Sequence, residues 1–166
     1  MSLPVHILGV DPGSVRTGFA IIDFHGQQFT HVHSGHLALG RGDMAQRLAR
    51  IFQGLNDMIE QYQPQAAAVE TVFVQKNVAS AIKLGQARGA AIAAIACQQL
   101  SVAEYPPATV KQAIVGGGRA DKQQINFMVQ RLVALREAPQ EDQADALAIA
   151  VCHAFHMRSQ RRGIAR

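Results

Sequence analysis

Four acidic residues of this chain stand where they do little for solubility. Asp11 ends the apolar run Ile7-Leu8-Gly9-Val10, Glu70 ends Ala66-Ala67-Ala68-Val69, and Asp142 and Asp145 open the apolar stretch from Ala146 to Val151. A carboxylate at the rim of a core is costly to desolvate unless a cation or hydrogen bond offsets it. Asp142 and Asp145 are three residues apart, so on a helix they share a face. Joined by the two strand-end acids they form a cluster of hard oxygen donors, the set that suits Mg²⁺. That donor set points to metal-assisted phosphate chemistry. Each acid also has a plainer reading. Asp11-Pro12-Gly13 is ordinary turn chemistry, Glu70 serves as a surface acid after a strand, and an aspartate in a helix's first turn caps free N–H groups. One acid suffices for a cap, however, and Ala146, Ala148 and Ala150 let the helix approach a sheet closely.

The remaining reactive side chains say less. Ser, Cys and His form no nucleophile signature, which disfavours hydrolysis through a covalent intermediate. The triple glycine at 116–118, with Arg119 and Lys122, lacks the spacing of an ATP-binding phosphate loop. It reads equally as a basic loop touching nucleic-acid phosphates or as a plain helix-to-helix linker. Phe73, just beyond Glu70 and before Gln75-Lys76-Asn77, is either a core aromatic or a side chain that stacks on bases. His31, His33 and His36 alternate along a strand, and His153 and His156 share a helical face; neither set has a complete metal-ligand spacing. Only His153, two turns beyond Asp145, has a reading toward the site, as the orienter of a water.

The elements that must position these residues follow from periodicity. Val5 to Val10 reads as a strand, Asp11 to Ser14 as a turn, Thr17 to Asp23 as a second strand, and Gln28 to Leu37 as a third, together an antiparallel meander. From Asp43, an N-cap, apolar residues recur at helical spacing to about Tyr62, where Pro64 stops them. Ala66 to Val69 is a short buried strand, Asn77 to Leu100 a long helix rich in Ala and Gly, and Val102 to Tyr105 another strand. Pro106 and Pro107 open a shorter helix through Val115, and Asp121 caps another through about Leu135. The last helix covers about Asp142 to Met157. Strands first, then strand and helix in alternation, predict an α/β fold: a mixed five-stranded sheet, antiparallel meander then parallel strands, flanked by helices.

At 166 residues and 48% hydrophobic, the chain fits one domain, residues 1–157, with 158–166 as a disordered basic tail. The tail carries four arginines and no acid, which matches the whole net charge of +4 and leaves the body near neutral. A nucleic-acid surface must therefore come from charge segregation, and all four lysines, Lys76, Lys83, Lys111 and Lys122, lie mid-chain. Cys97 and Cys152 lack a paired spacing and read as buried free thiols. No signal peptide or membrane span is evident, so the protein is expected in the cytoplasm.

Taken in order, these motifs resemble those of the RuvC family of Holliday junction resolvases, over essentially the whole chain apart from the last few residues. The match is carried by Leu8-Gly9-Val10-Asp11-Pro12-Gly13-Ser14 with Thr17-Gly18-Phe19-Ala20, and by Ala68-Val69-Glu70-Thr71-Val72-Phe73. It continues through Pro106 to Lys111, Gly116 to Lys122, and Asp142 to Ala150. The resemblance implies an RNase H-like fold, a homodimer, and paired nicking of a four-way DNA junction. It also implies that Asp11, Glu70, Asp142 and Asp145 hold divalent metal, that Lys111 and Lys122 assist at the scissile phosphate, and that Phe73 acts at opened bases. Lys76 and Arg119 join Phe73, Lys111 and Lys122 as expected nucleic-acid contacts. Two Mg²⁺ ions per site are expected, with Mn²⁺ able to substitute, as are branch-migration helicase partners, RuvA and RuvB. Products should carry a 5′-phosphate and a 3′-hydroxyl. The alternatives are a catalytically silent junction-binding module and a YqgF-like nuclease; an actin-like ATPase would need a second domain.

Overall fold

The computed structural model describes residues 3–71, 76–117 and 120–164, with side chains as far as residue 160. Three antiparallel strands come first: β1 (Val5–Asp11), β2 (Arg16–His25) and β3 (Gln28–Ala38). Helix α1 (Met44–Tyr62) leads to β4 (Ala66–Glu70), α2 (Val78–Cys97) and β5 (Val102–Tyr105). Helices α3 (Pro107–Val115), α4 (Lys122–Leu132) and α5 (Glu141–Ile164) complete the order. The sheet is five-stranded, ordered β3-β2-β1-β4-β5, with β4 parallel to both β1 and β5. It is the mixed sheet the periodicity predicts, with every strand within two residues of its expected bounds.

Local chemistry explains where the helices begin. The Asp43 and Asn77 side chains accept from the backbone N–H groups of Gln46 and Ser80, and Asp121 forms a reciprocal capping box with Gln124. Pro107 supplies the fixed φ that suits a first helical turn. Gly116 closes α3 in the left-handed conformation, φ 74°, which glycine adopts without a Cβ clash.

Alternation along the strands divides the core into two layers. Ile7 of β1, Ala20 and Ile22 of β2, and Ala66 and Ala68 of β4 pack against α3, α4 and α5. Leu8, Val10, Phe19, Ile21, Ala67 and Val69 face the other way, against α1 and α2. Leu8, Ile21, Ile51, Leu55 and Ile95 have no exposed surface, each burial contributing roughly 1.5–3 kcal/mol. Because side chains alternate with a period of two, Asp11 shares the face of Ile7 and Gly9, and Glu70 that of Ala66 and Ala68. Both acids are therefore directed to the side of the sheet that α5 covers.

Two expectations need correction. Helix α5 runs to Ile164 instead of ending near Met157, so residues 158–164 continue a helix where a disordered tail was expected. Arginine and glutamine are good helix formers, and nothing in that stretch breaks the turn until Gly163. Both cysteines are free, but only Cys152 is buried; Cys97 is exposed because the outer face of α2 has no layer above it. No helix among the described residues is long and apolar enough to cross a membrane.

Candidate active site

The first two acids are neighbours by strand register. Val10 of β1 pairs with Val69 of β4 in parallel, so Asp11 and Glu70 follow as the next residues at the C-terminal edge of the sheet. In α/β sheets that edge is where ligands bind. The turn after Asp11 is pinned by fully buried Thr17, whose hydroxyl donates to the Gly13 carbonyl at 3.2 Å and accepts from the Gly13 N–H at 3.3 Å.

The other two acids arrive on α5, and glycines set how closely. Asp11 pairs across the ladder with Gly18, and a Cβ on Gly18 would collide with the Asp142 carbonyl oxygen. Gly9, one step back along β1, lies under the Ala146 carbonyl and Ala150 in the same way. The backbone of α5 thus rests directly on β1 and β2, and its first turn carries Asp142 and Asp145 to the strand ends.

Electrostatics report the convergence. Burial, followed by the charges of Asp145, Glu70 and Asp142, pushes the Asp11 carboxyl up to about 7, against a smaller opposing effect of Lys122. Burial and then Asp145 raise the Glu70 carboxyl, while Lys111 and Lys122 pull it back down. Asp145 is raised too, chiefly by burial, with Lys122 opposing. Burial disfavours the Lys122 ammonium, but its hydrogen bond to Glu141 and the charge of Asp145 carry its pKa above the ordinary lysine value. Lys122 sits 3.3 Å from Asp145 and also pairs with the exposed Glu141. Arg16 lies 3.7 Å from Asp142.

A cleft of about 240 Å³ opens beside these groups, with Glu70, Lys111, Lys122 and Asp145 on its polar side and Val110, Ile125 and Ala148 on its apolar side. Among the described residues no three His, Cys, Asp or Glu side chains converge closely enough to ligate one ion as they stand. The carboxylates feel one another's charge, while Asp145 pairs with Lys122 and Asp142 with Arg16. The donor set still fits a divalent ion, being all oxygen, partly desolvated and overcharged.

The other expected site residues divide. Lys76 is exposed at the foot of α2, whereas Phe73 and Arg119 lie outside the described residues. His153 is hydrogen-bonded, its Nδ1 2.8 Å from the Tyr105 hydroxyl, and burial lowers its pKa. His31 pairs with Ser34 and His33 stacks on Tyr62, as unliganded strand histidines should. Sequence reasoning missed Arg16, Arg88 and Tyr105. The only signal for Arg88 is that it and Lys83 are the two charges of an otherwise uncharged α2; its Nε donates to the Glu70 carbonyl at 3.2 Å.

Known proteins resemble this chain over most of its length. The family model described as Crossover junction endodeoxyribonuclease RuvC matches residues 7–153. Crossover junction endodeoxyribonuclease RuvC of Halorhodospira halophila is 53% identical over 90% of this chain and 90% of its own length. That of Shewanella piezotolerans is 52% identical over 89% of this chain and 85% of its own. The solved structure of T. thermophilus RuvC in complex with Holliday junction substrate covers 94% of this chain and 96% of its own with TM-score 0.89 and 32% identity. The yeast mitochondrial Holliday junction resolvase Ydc2, 13% identical with TM-score 0.69 over 96% of this chain and 84% of its own, shares the fold. With the RNase H-like sheet, the acids at its edge and a match spanning nearly the whole chain, this protein belongs to the RuvC family of crossover junction endodeoxyribonucleases.

Proposed function

We propose that this nuclease resolves four-way DNA junctions by paired nicks in opposing strands, with Asp11, Glu70, Asp142 and Asp145 as its metal-holding acids. The observation that supports the reading is that the Asp11 carboxyl, at a strand end, feels the charges of Glu70 on the parallel strand and of Asp142 and Asp145 on one helix, beside a cleft lined by Lys111 and Lys122. Nucleases of this family are metal-dependent. The oxygen-only donor set favours Mg²⁺, two ions per site, with Mn²⁺ able to substitute. When bound, such ions activate water for in-line attack and neutralise charge on the scissile phosphate, leaving a 5′-phosphate and a 3′-hydroxyl.

The chain's own residues orient and screen. Asp11 and Glu70, fixed on strands, give the site a rigid floor, and α5 brings Asp142 and Asp145 over it. Lys111 and Lys122 face the cleft, where an ammonium stabilises the added negative charge of a pentavalent phosphate. Lys76 and Arg119 serve as backbone contacts, and Phe73 acts at opened bases.

A second copy of the chain completes the proposal, since a two-fold junction presents two equivalent strands to a C₂ dimer. The outer face of α2 supports this. Val78 is 70% exposed and Ile82 58%, and Gly85 and Gly89 beyond them have open space where a Cβ would stand. Small residues in an apolar stripe allow two helices to approach backbone to backbone. RuvA and RuvB, the branch-migration helicase components, are the further partners the family relationship suggests.

The test is a synthetic immobile four-way junction incubated with the protein, with and without Mg²⁺. Symmetric nicks in two opposing strands, dependent on the metal and lost in Asp11→Asn while junction binding persists, are the expected result. Cutting by Asp11→Asn at the parent rate would remove Asp11 from the site.

A further inference from the structure

The Glu70–Thr71 peptide is gripped at both poles. Its carbonyl oxygen accepts from Arg88 Nε at 3.2 Å, and its N–H donates to the Tyr105 carbonyl at 2.9 Å. Tyr105 is also the residue that pairs with Glu70 across the β4–β5 ladder. The guanidinium is held in turn by the carboxylate of Glu104, immediately before Tyr105 on β5, and only 22% of the Arg88 side chain is exposed. Strand alternation explains the layout: Tyr105 lies on the α5 side with Glu70, so Glu104 points to the α2 side, where Arg88 reaches it. Arg88 therefore crosses from the α2 layer to the strand tip and occupies a carbonyl at the point where β1 has already ended at Asp11.

We propose that Arg88 is a positioning residue for Glu70, setting the peptide plane after the acid and so the place from which its carboxylate reaches metal. This rests on the reading of Glu70 as a metal-holding acid. The role needs a guanidinium because two donors in a fixed fork must meet a backbone carbonyl and a carboxylate at once; an ammonium is a point charge on a flexible stem and satisfies them less well. Losing a partner that orients a metal ligand without touching the metal typically costs about 10- to 100-fold in metal affinity.

The experiment measures Mn²⁺ binding to the chelator-treated protein by loss of the free-ion electron paramagnetic resonance signal, for the parent, Arg88→Gln, Arg88→Lys, Glu104→Gln and Asp11→Asn. Junction affinity in EDTA and the unfolding temperature are read on the same samples. Arg88→Gln should weaken Mn²⁺ binding about tenfold, with Arg88→Lys between it and the parent, and with junction affinity in EDTA held within about twofold. A folded Arg88→Gln that binds Mn²⁺ like the parent overturns the proposal. Should Arg88→Gln not fold, Glu104→Gln decides, because it frees the guanidinium while keeping its packing; weaker Mn²⁺ binding supports the clamp and parent-like binding overturns it. If Asp11→Asn also binds like the parent, the acid site itself is misread; if only Asp11→Asn loses the ion, the clamp alone fails.

Discussion

The backbone carbonyl of Asp142 occupies the space that a side chain on Gly18 would need. Gly18 is also the cross-strand partner of Asp11, so one missing Cβ sets the distance between a strand-end acid and the helix that brings two more. The glycine is there because a helix backbone, rather than a ligand, lies on it.

Gly18→Ala should accordingly damage both fold and chemistry. Forcing α5 off the sheet is overpacking, expected to destabilise by about 1–3 kcal/mol in urea unfolding. Metal-dependent nicking should fall further than that loss of folded protein explains, because Asp142 and Asp145 are lifted away from Asp11. Nicking in proportion to the folded fraction would show that the helix seating is not what assembles the site.

Asp11→Asn should stabilise the metal-free protein while abolishing cutting. The folded-state pKa of Asp11 is raised from 3.8 to about 7, so the folded chain holds this proton more tightly than the unfolded one. The associated stability is full below about pH 4 and is lost as pH rises toward 7 and beyond. Asparagine removes that loss, so its gain should be absent near pH 4 and approach about 4 kcal/mol at pH 8, measured by denaturant unfolding in EDTA. Added Mg²⁺ should then stabilise the parent more than the variant, and a variant that gains equally at both pH values would point to a cause other than charge.

Lys122→Ala removes the ammonium that holds Asp145 at 3.3 Å and faces the cleft. Nicking should slow by about 10²–10³, with a much smaller change in junction affinity. Matching losses in single-turnover cleavage and gel-shift assays would demote Lys122 to a phosphate contact.

Gly89→Gln separates the isolated chain from the dimer. Gly89 has open space around it on α2, and replacing a mid-helix glycine should add up to about 1 kcal/mol to folding. The same side chain should weaken self-association about ten- to a hundredfold in sedimentation equilibrium. Unchanged association would move the dimer contact away from this face.

Much of this was legible in residue order. Apolar runs ending in Asp11 and Glu70 marked strand tips, N-caps at Asp43, Asn77 and Asp121 marked helix starts, and Ala146, Ala148 and Ala150 marked a helix meant to lie close. Those signals are local, depending on backbone sterics and on periods of two and 3.6. The partner of His153 was not legible for the opposite reason: its helical face is set by sequence, but Tyr105, to which it is hydrogen-bonded, is 48 residues away. The end of α5 was misjudged because a dense run of arginines resembles a solvated tail, while its propensity remains helical.

By itself, then, the chain's order of residues settled which side chains are acids at strand ends and which face of the sheet they take, since alternation permits only one. Tertiary structure decided the rest: that α5 lies on Gly9 and Gly18, that Lys122 comes to Asp145, and that Arg88 crosses to the Glu70 carbonyl. Those three contacts join residues far apart in the chain, and their existence depends on layers packing at a fixed distance, which no local propensity encodes.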